Sequence, residues 1–204
     1  LVNAYLDWSG ADRGRYEGVV PPHLFPQWGF PPLAKALGRL PWPMTKVLNQ
    51  GCRIEAKAPL EAGQPLVVSA WLAEVREEPH KVRLTTRIVT GTESTPECLV
   101  ADVYAVVPTG KKPKGAKKDP PVVPEGSQKL LERSLGRRAG LEFALLTGDF
   151  NPIHWVGPYA KVAGFKSCIL HGFGSMAIAW EAIVNQELEG DPSKLKWMDL
   201  RFVR

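Results

Sequence analysis

The chain is poor in cysteine, and the few it has form no working pattern. Cys52, Cys98 and Cys168 stand far apart, with no CxxC pair among them. An odd number of thiols makes no disulfide framework, so reduced, buried thiols in a cytoplasmic protein are expected. No uncharged apolar run reaches the roughly 18 residues of a membrane-span candidate, and no span is expected. No charged leader followed by an apolar stretch opens the chain, which starts at Leu1, and no signal peptide is expected. Surplus charge is also scarce. Lys and Arg number 26 against 21 Asp and Glu, a net charge of +5. Much of that excess sits at Lys111, Lys112, Lys114, Lys117 and Lys118, with no aromatic residues between them. Single-strand binders combine basic and aromatic side chains along the nucleic acid, so no nucleic-acid partner is expected.

What the chain does have is an ordinary globular composition. Apolar residues make up 44% and charged residues 23% of 204, enough for a sizeable core in one large domain or two small ones. Residues 1–107 begin with a stretch broken by Pro21, Pro22, Pro26, Pro31, Pro32, Pro41 and Pro43. A short helix fits between Pro32 and Leu40, with proline at its start and after its end. Strand signals follow in GCRIEAKAPL, PLVVSAWLAEVREE, KVRLTTRIVTG and CLVADVYAVVP, which alternate or are rich in β-branched residues. This order predicts an antiparallel sheet with a helix on one face, an α+β arrangement.

Residues 108–124, PTGKKPKGAKKDPPVVP, offer almost nothing to bury and read as a linker. Mutual repulsion of the lysines favours a solvated connector. The sharper alternative is a basic strap near the phosphates of a ligand. Residues 125–204 then carry QKLLERSL, a candidate strand, and RAGLEFALLTG, a helix ending at Gly148. HGFGSMAIAWEAIVNQEL predicts a long helix, buried nearly all round in its first part. KLKWMDLRFVR predicts a strand. One helix with one or two strands makes an incomplete second unit, so further strands are expected from residues not given or from another chain.

The chemistry concentrates in TGDFNPIHW, Thr147 to Trp155. Pro152 keeps Asn151 out of the helical region and starts a turn, so Asp149 and His154 project from a bend. A carboxylate and an imidazole held together can grip one water and exchange protons with it. Asn151 cannot titrate but can orient either partner. The plainer alternative is a helix stop at Gly148, an Asx turn at Asp149 and a turn start at Asn151-Pro152. His171 and Gly172 open the long apolar helix, whose first N–H groups lack intrahelical partners and lie at the positive end of the helix dipole. Glycine lets a carbonyl oxygen approach such an amide, as an oxyanion hole requires. Against that stands a capping role for His171. Asp149, His154 and His171 also have the residue types of a two-His-one-carboxylate metal triad. Their spacing matches no established zinc or iron motif, so no metal is expected. His23, between Pro22 and Leu24, reads as structural, and Glu181, far down the long helix, as a surface residue.

The stretch LLTGDFNPIHWVGPYAKVAGF, Leu145 to Phe165, followed by ILHGF, Ile169 to Phe173, resembles the signature of the MaoC-like hydratases, the (R)-specific 2-enoyl-CoA hydratases or hydratase 2. The resemblance implies a hot-dog fold, an antiparallel sheet wrapped around a long central helix. PPHLFPQWGFP and LNQGCRIEAKAPL look like the N-terminal, non-catalytic repeat of the double-hot-dog members. On that reading residues 1–107 form the first repeat and residues 125–204 a catalytic repeat lacking its last strands. Carried over by position, Asp149 and His154 are the catalytic pair, Asn151 supports them, and Gly172 with His171 binds the thioester. The implied reaction is hydration of a trans-2-enoyl thioester, or its reverse, in fatty-acid metabolism. The implied partner is an acyl group on CoA or acyl carrier protein, in a homodimer or an association of repeats, with no cofactor. The competing expectations are a non-catalytic acyl-thioester-binding partner subunit and an acyl-CoA thioesterase.

Overall fold

A computed structural model describes residues 1–38, 40–42, 47–110 and 122–202. The linker lysines Lys111, Lys112, Lys114, Lys117 and Lys118 lie outside the described residues, so the strap reading is not addressed. Five strands form one antiparallel sheet: β1 (Leu48–Ala56), β2 (Val67–Glu78), β3 (Lys81–Gly91), β4 (Leu99–Pro108) and β5 (Trp197–Arg201). Their order across the sheet is β2-β3-β4-β1-β5. The helices are α1 (Val2–Ser9), α2 (Pro26–Leu37), α3 (Ala139–Thr147), α4 (Gly157–Val162) and α5 (Gly172–Glu187). None is long and apolar enough to cross a membrane.

The strands form where alternation predicts them. Val82, Leu84, Ile88, Ala101, Val103, Ala105, Cys52 and Ile54 point into the core from one face of the sheet. The opposite face is held by cross-strand polar pairs. Arg87 donates two hydrogen bonds of 2.7 Å to the Asp102 carboxylate directly opposite it on β4. β5 pairs with β1, setting Met198 opposite Ile54 and Leu200 opposite Cys52. One sheet therefore draws strands from both sides of the linker. Cys52 and Cys98 are buried and Cys168 half-buried, all three free.

α5 supplies the centre of the core. Phe173, Met176, Ala177, Trp180 and Val184 are buried against Tyr5, Phe25, Phe143, Ile54 and Met198. Full burial of one such large side chain contributes about 1.5–3 kcal/mol. The burial expected nearly all round in the first part of α5 is interrupted along one side. Ser175 is exposed, and Ile178, Ala179 and Ile183 are half-buried along an open depression of about 520 Å³ that Leu130, Leu131 and Leu135 also line.

Four local expectations need correction. The helix placed between Pro32 and Leu40 instead begins at Pro26 and runs through Pro31 and Pro32. Its fit against β2 and β3, with Gly29 and Leu37 buried, outweighs the backbone bonds the two prolines cannot make. The segment QKLLERSL is not a strand, because it has no pairing partner among the described residues. Its Arg133 guanidinium instead donates to the carbonyls of Ser9 and Trp8 at the end of α1. α1 itself was not anticipated.

The fourth correction concerns Glu181, which is 2% exposed rather than on the surface. Tyr16 donates its hydroxyl to Glu181 Oε1 at 2.6 Å, and His23 Nε2 lies 2.8 Å from the same oxygen. The Tyr5 hydroxyl donates to the His23 carbonyl at 2.7 Å, so it accepts from His23 Nδ1, 3.0 Å away. With Nδ1 protonated, the hydrogen bond between His23 Nε2 and Glu181 Oε1 must hold a second proton. The pair is thus jointly neutral, as deep burial demands, while Glu181 Oε2 is buried without a hydrogen-bond partner among the described residues. It bolts α5 to the N-terminal segment.

Candidate active site

The site is built where α3, the loop after it and the start of α5 meet. α3 ends at Gly148 in the left-handed region, φ 82°, as the helix-stop signal predicts. Asp149 Oδ1 then accepts from the Asn151 N–H at 3.3 Å, the expected Asx turn. Asn151 Oδ1 accepts from the Ile153 N–H at 3.3 Å and caps the single turn of 3-10 helix at Pro152–His154. The exposed Asn151 therefore shapes the bend from which Asp149 and His154 project.

That bend brings three side chains together. The donor atoms of Asp149, His154 and His171 all lie within 4.8 Å of one another. His154 Nδ1 is 2.9 Å from the Ile169 carbonyl oxygen. A carbonyl only accepts, so Nδ1 carries a proton and the neutral ring keeps its lone pair on Nε2. Burial lowers the His154 pKa, against the opposing pull of the Ile169 carbonyl and the Asp149 carboxylate. His154 therefore rests as a neutral imidazole able to take a proton.

His171 is fully buried. It occupies the residue before α5 but makes no capping hydrogen bond with its side chain. Its Nε2 instead donates to the Asp149 main-chain carbonyl at 2.9 Å, with the Asp149 carboxylate 3.9 Å away. Burial first, and His154 second, push its pKa down to about 4. The protons on His154 Nδ1 and His171 Nε2 leave three free lone-pair donors: His154 Nε2, His171 Nδ1 and the Asp149 carboxylate. Of these His171 Nδ1 is buried without a partner among the described residues. The trio has metal-ligand chemistry, but two of its four ring nitrogens are committed to the backbone.

Two glycines make the arrangement possible. A Cβ on Gly140 of α3 would lie 2.0 Å from the His154 carbonyl oxygen, so this helix accepts the loop only as glycine. Sequence reasoning missed Gly140, whose signal was a glycine inside an otherwise apolar helix. A Cβ on Gly172 would lie 2.2 Å from the Phe202 ring. The space that glycine leaves open is thus filled by an aromatic side chain at the end of β5. Gly172 still presents its first-turn N–H, which lacks an intrahelical partner.

Residues 123–204 match the family model described as MaoC like domain. The match spans the C-terminal part of the chain, which is similar to a MaoC-like domain. Over 58 residues the chain is 41% identical to "Enoyl-CoA hydratase 2, peroxisomal" of Arabidopsis thaliana, a match covering 28% of this chain and 19% of the plant protein. The chain thus spans well under two thirds of that relative. Among solved structures, a protein titled "MaoC-like dehydratase" superposes with a TM-score of 0.81 at 17% identity, covering 100% of this chain and 77% of the other. The MaoC-like dehydratase of Phytophthora capsici gives a TM-score of 0.78 at 22% identity, covering 100% and 76%. The fold is the α+β hot-dog fold of the MaoC-like proteins.

Proposed function

We propose that the site adds water across the double bond of a trans-2-enoyl thioester, or removes it from an (R)-3-hydroxyacyl thioester, in fatty-acid metabolism. The observation that carries this reading is the tautomer of His154: a proton fixed on Nδ1 by the Ile169 carbonyl and a lone pair left on Nε2, on a ring with a nitrogen within 4.8 Å of the Asp149 carboxylate. In the hydration direction, Asp149 and His154 hold the water between them. The water oxygen bonds to C3 while His154 Nε2 takes one of its protons. Charge moves to the thioester oxygen, where the Gly172 N–H at the positive end of α5 stabilises it. His154 returns the proton to C2 on the same face, so one water is added and the histidine is restored. Asn151 supports the pair by holding the bend.

The acyl group is carried by CoA or acyl carrier protein, and no cofactor takes part. Residues 1–107 serve as a non-catalytic hot-dog repeat and residues 125–204 as the catalytic one, joined by residues 108–124. The working unit is a homodimer or an association of such repeats. A cytoplasmic location is the reading from the unpaired cysteines, whereas the plant relative is by name peroxisomal. A thioesterase using a carboxylate on the central helix is disfavoured, because Glu181 is engaged by Tyr16 and His23. The test is loss of the conjugated-thioester absorbance of crotonyl-CoA without release of free CoA. Release of free thiol supports the thioesterase, and binding without turnover supports a partner subunit.

A further inference from the structure

We propose that His171 is a positioning residue, which holds Asp149 by its main-chain carbonyl and gives the His154 ring a neutral surface to lie on. This rests on the reading of Asp149 and His154 as the reacting pair, and assigns His171 a role other than substrate contact.

Three observations converge on it. The first is what the ring does at its position in the chain. The residue before a helix commonly uses its side chain to satisfy the first free N–H groups. His171 leaves those groups open, and its Nε2–H crosses to the Asp149 carbonyl at 2.9 Å. That bond ties the start of α5 to the residue that carries the site's carboxylate. Asp149 sits in a loop that α3 has already ended, so this tie limits where its side chain can point.

The second is the environment of the ring. Its side chain is 0% exposed and lies between two other rings. The Phe143 ring centroid is 4.8 Å away, and the His154 centroid is 3.6 Å away with 25° between the planes. A side chain enclosed in this way cannot touch an incoming acyl thioester. It can, however, keep the His154 ring from turning about its side-chain bonds, so that Nδ1 stays on the Ile169 carbonyl and Nε2 stays facing out.

The third is the unpartnered His171 Nδ1, which is buried with no donor near it among the described residues. A second proton there would have no acceptor and would set an imidazolium against the face of His154. His154 must itself pick up a positive charge during turnover. Two stacked imidazolium rings would repel strongly in this buried setting, whereas a neutral ring beneath a charged one permits the cycle.

Two replacements separate the two contributions. His171→Phe keeps a ring under His154 but loses the N–H to Asp149. His171→Gln keeps an N–H donor of similar reach but loses the ring. For His171→Phe the expected result is a fall in kcat of about 10- to 100-fold with KM changed by less than about threefold, the signature of a misplaced reacting group rather than lost substrate contact. His171→Gln should recover most of that kcat. Without the ring, water reaches His154, and the acid limb of its kcat/KM profile should move up toward the ordinary histidine value of about 6.5. An NMR titration of the ¹⁵N-histidine-labelled full chain reads the same property without turnover. His154 should be in its Nδ1–H form and titrate below the ordinary value in the wild type and in His171→Phe, but shift upward in His171→Gln. If the wild type hydrates no enoyl thioester yet the titrations differ in this way, the hydratase reading fails and the positioning role stands. A rise in KM of tenfold or more at unchanged kcat in either variant would assign His171 to substrate binding and overturn the proposal. So would His154 titrations identical in all three proteins, since a merely structural histidine would change only stability.

Discussion

The imidazole rings of His154 and His171 are stacked with their centroids 3.6 Å apart, while each ring gives its one proton to a backbone carbonyl, His154 to Ile169 and His171 to Asp149. Two histidines in such contact cannot both be charged at low cost. The backbone bonds show how the protein keeps both neutral while leaving one nitrogen of His154 free to work.

The first prediction concerns acid stability. His171 has a folded-state pKa of about 4, below the unfolded value of about 6.5. A histidine with a depressed pKa contributes stability that is fully present above the unfolded value and is lost as pH falls through the interval to the folded one. Unfolding free energy should therefore drop by about 1.4 kcal/mol per pH unit between pH 6.5 and 4 from this residue alone. Urea titrations at several pH values check it, and His171→Phe should flatten the slope.

A second prediction addresses the buried pair of His23 and Glu181. Replacing Glu181 by Ala leaves His23 and Tyr16 without their shared acceptor. Breaking a buried pair in this way destabilises by about 3–5 kcal/mol. Denaturant midpoints should show the loss. Because the network lies away from the Asp149 turn, activity per folded molecule should stay close to that of the wild type.

The contact of Gly172 with Phe202 makes a third. Adding a methyl group in Gly172→Ala drives a Cβ to 2.2 Å from the Phe202 ring. Overpacking of this kind costs about 1–3 kcal/mol, seen as a lowered Tm. The N–H survives the change, so removing the obstacle with a second replacement, Phe202→Ala, should restore the start of α5 and recover activity that Gly172→Ala alone loses. Failure of the double variant to recover would mean that glycine is needed at the amide itself.

A fourth prediction tests the loop support. Gly140→Ala places a Cβ 2.0 Å from the His154 carbonyl oxygen, so the loop must move. Displacement of a reacting group by about 1 Å can cost on the order of 100-fold in rate. The kcat of Gly140→Ala should fall far more than its stability does, which steady-state kinetics beside thermal melts would show.

How much of this was legible beforehand follows from the range of each interaction. The strands and α5 are written in local patterns of alternating or continuous apolar residues, and their positions agree with the structure to within a few residues. Gly148 and Asn151-Pro152 announce their own turn, because helix stops and Asx turns are made with near neighbours. The pairing of β5 with β1 could not be read, since it joins segments separated by most of the chain. Glu181 was misread for the same reason: its partners, Tyr16 and His23, lie at |i−j| of 165 and 158, and nothing on α5 itself reveals them. α1 has no capping side chain and only Tyr5, Leu6 and Ser9 buried, too weak a pattern to stand out. The convergence of Asp149, His154 and His171 was suggested by their residue types, not by their spacing, and the assignment of each ring proton needed the carbonyls of Ile169 and Asp149, which no sequence motif specifies.

The most direct test of the central claim is turnover of crotonyl-CoA by the wild type beside Asp149→Asn and His154→Gln, followed by the fall in conjugated-thioester absorbance and by chiral analysis of the product. The account predicts an (R)-3-hydroxyacyl thioester from the wild type and a loss of about 100- to 10,000-fold in kcat in each variant, the range for removing a general acid/base group. Full activity in either variant, or an (S) product, would contradict it.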